Sequence, residues 1–301
     1  MSAPNVYWLL AGYAIVFVME LLRHSGRFRA GRSAALVCGI FGLAAHTAYL
    51  LARSRQIDLP PLLSSTHDWL LVLAWLAVVL YLFLTLIDRT LPVGLFLLPL
   101  VLLLICSAFF VSDLPNSHVS VKDAFYRWAL LHASLLVFGI AGVIGGFVLS
   151  MMYLAQHHRL KHKLAAKKGL ALPSLARIAR LNWWAVVISV PTLTLGMATG
   201  FGLAINRQNE TSSGILADPV IVVSSIAWLV MVLFFFWRLR HRTLGGKQVA
   251  WMTIWAFGFL LVTLLGLQVF TADDASSVHQ RQTSRRDSQP VMCFSGRGAL
   301  R

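Results

Sequence analysis

Residues Phe41–Pro60 read FGLAAHTAYLLARSRQIDLP. Apolar and small residues extend upstream to about residue 34, and no Lys, Arg, Asp or Glu interrupts the run before Arg53. As a helix, a run of this length reaches across roughly 30 Å of hydrocarbon. His46 sits inside it. A hydrophobic helix needs no imidazole, and burying one without a partner is costly.

Working outward, seven further apolar runs lie at about 5–23, 68–87, 92–111, 127–156, 181–205, 219–238 and 248–270. Hydrophobic residues make up 58% of the 301 residues, charged residues 12%, and mean hydropathy is +0.73. A soluble domain of this size needs far more polar surface. A membrane barrel would show short alternating strands instead. The expected fold class is therefore all-α, a polytopic membrane bundle of eight transmembrane helices.

The net charge of +15 follows the connections between these runs. Sixteen of the 26 Lys and Arg residues fall in alternate loops: Arg23, Arg27, Arg29 and Arg32; Arg89; seven between Arg159 and Arg180; and Arg238, Arg240, Arg242 and Lys247. The positive-inside rule puts these loops in the cytoplasm and both termini outside. Topology accounts for the charge, so no nucleic-acid partner is needed. The first run has its basic flank after it, which reads as an uncleaved anchor. Cys38, Cys106 and Cys293 form no C-x-x-C pair, so thiol chemistry is not expected of the chain itself.

Residues 1–270 read as one membrane domain, and 271–301 as a disordered polar tail. The basic connection HHRLKHKLAAKKGLALPSLARIAR has the character of an interfacial helix against anionic lipid, or of an orientation signal alone. Gly142 and Gly146, and likewise Gly196 and Gly200, have the spacing that lets helices approach closely. Pro191 is expected to kink its span, with Thr192 or Thr194 satisfying the freed backbone groups. Trp183 and Trp184 read as part of an aromatic belt.

Of ten histidines, six fall in the basic loops or the tail, leaving His46, His67, His118 and His132. His46 lies ~10 Å and His132 ~8 Å below the outer surface at 1.5 Å per residue. Both are expected to face the interior at similar depth. Each has two readings, a metal ligand or a fastener donating to a carbonyl of a neighbouring helix. Haem suits such ligands better than zinc, because no carboxylate or thiolate is expected near them in the spans.

Three segments carry a family resemblance: HTAYLLARSRQIDLPP with the following HDWLLVLAWLAVVLYL, WALLHASLLVFGIAGVIGGFVLSMMYLAQHHRLK, and LPSLARIARLNWWAVVISVPTLTLGMATGFGLA. In this order they resemble the cytochrome c assembly family, the CcsA- and HemX-like proteins, over about residues 34–270. The resemblance implies haem b held between external histidines beside a Trp-rich external segment. It implies handling of haem for c-type cytochromes, or a HemX-like role linked to haem biosynthesis, by an assembly factor rather than a self-contained catalyst. His132 matches an external ligand and His46 a histidine within the membrane. The implied partners are the lipid bilayer, other cytochrome c assembly subunits and apocytochrome c, and the implied location is the bacterial inner (cytoplasmic) membrane.

The chain departs from that pattern twice. Its external connection, INRQNETSSGILADP, keeps only Asp218 and Pro219 of the family's W-D-P-K-E ending and has no tryptophan. Gln268 stands where the second external histidine is expected. These departures keep two other readings open. One is a membrane scaffold or regulator that retains the fold without haem. The other is a small-molecule permease, against which the spans lack evident paired charges.

Overall fold

The computed structural model describes residues 6–24, 31–87, 92–111, 126–161, 174–208, 219–240, 246–263 and 266. Among them there are helices and no strands: α1 (Val6–His24), α2 (Gly31–Ile57), the single turn α3 (Pro61–Ser64), α4 (Thr66–Ile87), α5 (Gly94–Ala108), α6 (Tyr126–Lys161), α7 (Leu175–Gln208) and α8 (Pro219–Arg240). A further helix, α9, covers 246–263.

Six of the described helices are long and apolar enough to cross a membrane: α1, α2, α4, α6, α7 and α8. The span expected over 92–111 is a helix of only 15 residues, α5, about 22 Å long. Phe109 ends it with an αR cap; its N–H donates to the Cys106 carbonyl, and the Phe110 N–H donates to the Ser107 carbonyl. The expected seventh and eighth runs are α8 and α9, the latter described only to residue 263. The proposed tail, His118, Asp218 and Gln268 lie outside the described residues.

Side-chain contacts give the helix directions. Arg53 near the end of α2 pairs with Asp68 at the start of α4, while Gly39 near the start of α2 meets Leu82 near the end of α4, so the two run antiparallel. Glu20 near the end of α1 meets Tyr81 of α4 and the start of α5 at Gly94. At the opposite end Tyr7 of α1 stacks on Phe109, with ring centroids 4.8 Å apart. The apolar faces so joined bury Tyr13, Tyr81, Leu97, Leu98 and Leu104.

The most extensive helix pair is α6 with α7. Its contacts run in one antiparallel register: Ser150 with Asn182, Gly142 with Ser189, Gly139 with Leu193, Gly196 with Leu136 and Gly200 with His132. Glycine is needed here because a Cβ on Gly142 would stand 2.7 Å from Ser189 Cβ. Gly146 has a different neighbour, since its Cβ would meet Phe257 of α9 at 2.6 Å. Pro191 lies inside α7, but the threonines do not serve the carbonyl that it leaves unpaired, that of Val187. Thr192 donates instead to Ile188 and Thr194 to Val190, each four residues back. Thr194 also accepts the Trp228 indole N–H from α8 at 3.2 Å.

Candidate functional site

His46 is fully buried. Its Nδ1 is 3.2 Å from the Tyr13 hydroxyl of α1, and its Nε2 is buried without a hydrogen-bond partner among the described residues. One residue along, Thr47 accepts the Trp75 indole N–H at 2.8 Å, which sets His46 level with the middle of α4. Tyr13 also lines an apolar fissure of about 350 Å³ between α1 and α2, bordered by Gly12, Cys38, Gly42, Ala45 and Tyr49.

His132 occupies the first turns of α6 and is half-buried. Its Nδ1 is 2.8 Å from the Gly196 carbonyl oxygen of α7 and 3.3 Å from Thr199 Oγ1. A carbonyl can only accept, so Nδ1 carries the proton and the lone pair of the neutral ring is on Nε2. This is the arrangement by which a backbone carbonyl fixes the tautomer of a metal-binding imidazole. Gly200 leaves the space the ring needs, since a Cβ there would be 2.6 Å from His132 Cε1.

The two imidazoles are not brought together. Gly145 of α6 packs on Leu80 of α4, thirteen residues from His132 and five residues from Trp75, the partner of Thr47. At 1.5 Å per residue these separations are about 20 Å and about 8 Å. Whichever way α6 runs beside α4, the imidazoles differ in height by at least about 12 Å. This register departs from the expectation of similar depth.

The chain also buries charge that sequence reasoning passed over. Asp68 is fully buried at the head of α4, where it accepts from Arg53 Nε at 3.2 Å, from Ser64 Oγ at 2.6 Å and from the His67 ring Nδ1 at 3.1 Å. Its backbone N–H donates to Ser65 Oγ at 3.1 Å. At the other end Glu20 is buried and bonded to Tyr81 at 3.0 Å and to Arg23 at 2.8 Å. Paired charges therefore do occur in the spans, contrary to the sequence reading. The signal was available: an acidic residue within or heading an apolar run needs a partner. No group of three or more His, Cys, Asp or Glu placed to hold a metal ion occurs among the described residues.

Fold and site together define a helical integral membrane protein with two separate imidazoles. The cytochrome C assembly protein family model matches residues 63–272, most of the chain, and the chain belongs to that family. It is 26% identical over 218 residues, 68% of its length, to the cytochrome c biogenesis protein CcsA of Chlamydomonas reinhardtii. It is 25% identical over 163 residues, 54% of its length, to Protein HemX of Brevibacillus brevis. The matches span 58% of the length of each relative. No solved structure matches.

Proposed function

We propose that this chain handles b-type haem in the assembly of c-type cytochromes, with His132 as the iron ligand. The observation that carries the reading is the Nδ1–H bond from His132 to the Gly196 carbonyl, which directs the ring's lone pair to Nε2. Family membership and the name of the CcsA relative support the pathway. The residues fit the group: a half-buried imidazole of fixed tautomer at a helix end, in a space Gly200 keeps clear. Bound haem would supply an iron centre that takes an imidazole nitrogen as ligand. The chain's part is to orient His132 through α7 and to exclude water along the α6–α7 contact. Asp218 and Gln268 complete the proposed external site. Gln268 offers a weakly donating amide, so His132 is the one strong ligand there.

In this reading eight helices cross the bacterial inner membrane, α5 and α9 completing the set, with both termini outside. The domain covers residues 1–270, with 271–301 a polar tail, and its partners are other assembly subunits and apocytochrome c. The test is the absorbance spectrum of the purified chain made with abundant haem. A Soret band is expected that His132→Ala removes and Gln268→His shifts toward a low-spin form. A colourless wild-type chain would overturn the proposal.

A second reading, a scaffold that retains the fold without haem, is favoured by the Tyr13–His46 bond, since a buried fastener is sufficient use for that imidazole. His46→Ala would then lower stability and leave any haem spectrum unchanged. A HemX-like role linked to haem biosynthesis uses the same His132 site, and is separated by whether deletion lowers total haem or only c-type cytochromes.

A further inference from the structure

Trp128 stands one turn before His132 on α6. Residues so spaced on a helix are neighbours, with about 5–6 Å between their Cβ atoms. Helical side chains also lean toward the N-terminus, so the His132 ring tilts over the turn that carries Trp128. The hydrogen bond of His132 adds a direction. Gly196, which accepts from Nδ1, lies one turn nearer the α6–α7 connection than Gly200, the residue that faces the ring. The second ring nitrogen points away from the first, so the Nε2 lone pair is turned toward the far end of the hairpin.

Trp128 is level with that end. Leu136 faces Gly196 and His132 faces Gly200, so the next turn sets Trp128 opposite Ala204. A methyl group covers little of an indole, and Trp128 remains 55% exposed. Exposed tryptophans at helix ends are ordinary residues of a membrane interface. This one also adjoins the proposed iron ligand, on the side to which its lone pair is turned. A single imidazole holds the iron of a haem but leaves the macrocycle free to turn about the iron–nitrogen bond. A flat aromatic side chain in contact with the macrocycle restricts that rotation and buries apolar area.

We propose, resting on the reading of His132 as the iron ligand, that Trp128 is a porphyrin-contact residue whose indole packs against the macrocycle. His132 then recognises the metal and Trp128 the ring. An iron-free porphyrin is accordingly a ligand too, held by the indole without an iron bond.

The experiment titrates ferric haem, and separately iron-free protoporphyrin IX, into the purified full chain in detergent. Soret absorbance and porphyrin fluorescence read the two affinities. Trp128→Ala should weaken both about tenfold, the worth of an aromatic contact and its buried area. Trp128→Phe keeps a flat ring and should recover most of the loss, whereas Trp128→Leu, apolar but not aromatic, should not. Trp8→Ala removes a still more exposed tryptophan, on α1, and should change neither affinity. If His132→Ala abolishes haem binding while Trp128→Ala binds haem and porphyrin as tightly as wild type, this inference fails and the iron ligand stands. Equal binding by the Phe and Leu variants would overturn it in favour of apolar bulk alone. Equal losses in Trp128→Ala and Trp8→Ala would overturn it in favour of membrane anchoring. A wild-type chain that takes up no haem would overturn the ligand reading, and the porphyrin contact with it.

Discussion

Gly200→Ala tests whether α7 dictates where the His132 ring stands. The added methyl would be 2.6 Å from His132 Cε1 and 3.1 Å from Nδ1. Carbon atoms in good contact sit at about 3.5–4.0 Å, so the ring must move by roughly 1 Å. That shift sacrifices the 2.8 Å bond to the Gly196 carbonyl. Overpacking costs about 1–3 kcal/mol and the lost bond about 0.5–1.5 kcal/mol. Alanine's better helix propensity offsets about 0.5–1 kcal/mol of this, leaving a net destabilisation of about 2 kcal/mol. Gly202→Ala is the matched control on the same helix, because its Cβ would meet nothing within 4 Å. Only the propensity gain applies there, about 0.5–1 kcal/mol of added stability. Denaturant titration in detergent micelles, followed by tryptophan fluorescence, reads both variants. Haem content should fall in Gly200→Ala and hold in Gly202→Ala. If the two variants are equally stable and carry equal haem, α7 does not position the ring and the reasoning fails.

Three other substitutions probe the remaining sites. Asp68→Ala leaves the Arg53 guanidinium without its carboxylate and should destabilise by about 3 kcal/mol. Asp68→Asn, which still accepts from Ser64, should cost less in the same titration. Tyr13→Phe removes the hydroxyl that meets His46 Nδ1 and should cost about 1–2 kcal/mol, while any haem spectrum stays as it was. Asp58, just past the end of α2, has φ +56, a left-handed conformation in which glycine is unstrained. Asp58→Gly should therefore raise the midpoint of thermal unfolding, by about 1 kcal/mol of stability.

The architecture was largely legible because its cause is repeated along the chain. Every apolar run expected to span the membrane contains a helix, and the family resemblance stood on motifs spread over four of them. The glycine spacing of α6 and α7 was legible too, since close approach requires small residues at those intervals. What each glycine meets was not: Gly146 faces α9, and Gly200 faces an imidazole. Periodicity along one helix does not say which neighbour stands opposite. For the same reason His46 and His132 came out level when measured from their own span ends. Only the cross-helix contacts at Trp75 and Gly145 reveal the offset. The Asp68 network was hidden because its parts come from three elements, α2, α3 and α4, and the short turn α3 leaves no periodic trace. Pro191 drew attention to its neighbouring threonines, yet their hydroxyls follow the ordinary four-residue geometry of the helix.

The single antiparallel register of α6 with α7 bears on biosynthesis. Its contacts begin with Asn182 and Ser150 near the connection and continue to Gly200 and His132 at the far end. A nascent chain can therefore close this hairpin from the connection outward, one turn at a time, without waiting for α8. The Gly196 bond to His132 lies at the far end of that sequence, so on such a route it would form last. Cofactor capture by this imidazole would then report that the hairpin has closed along its whole length. A ribosome stalled before Gly196 emerges should yield a membrane-inserted chain whose His132 has not yet acquired its fixed tautomer.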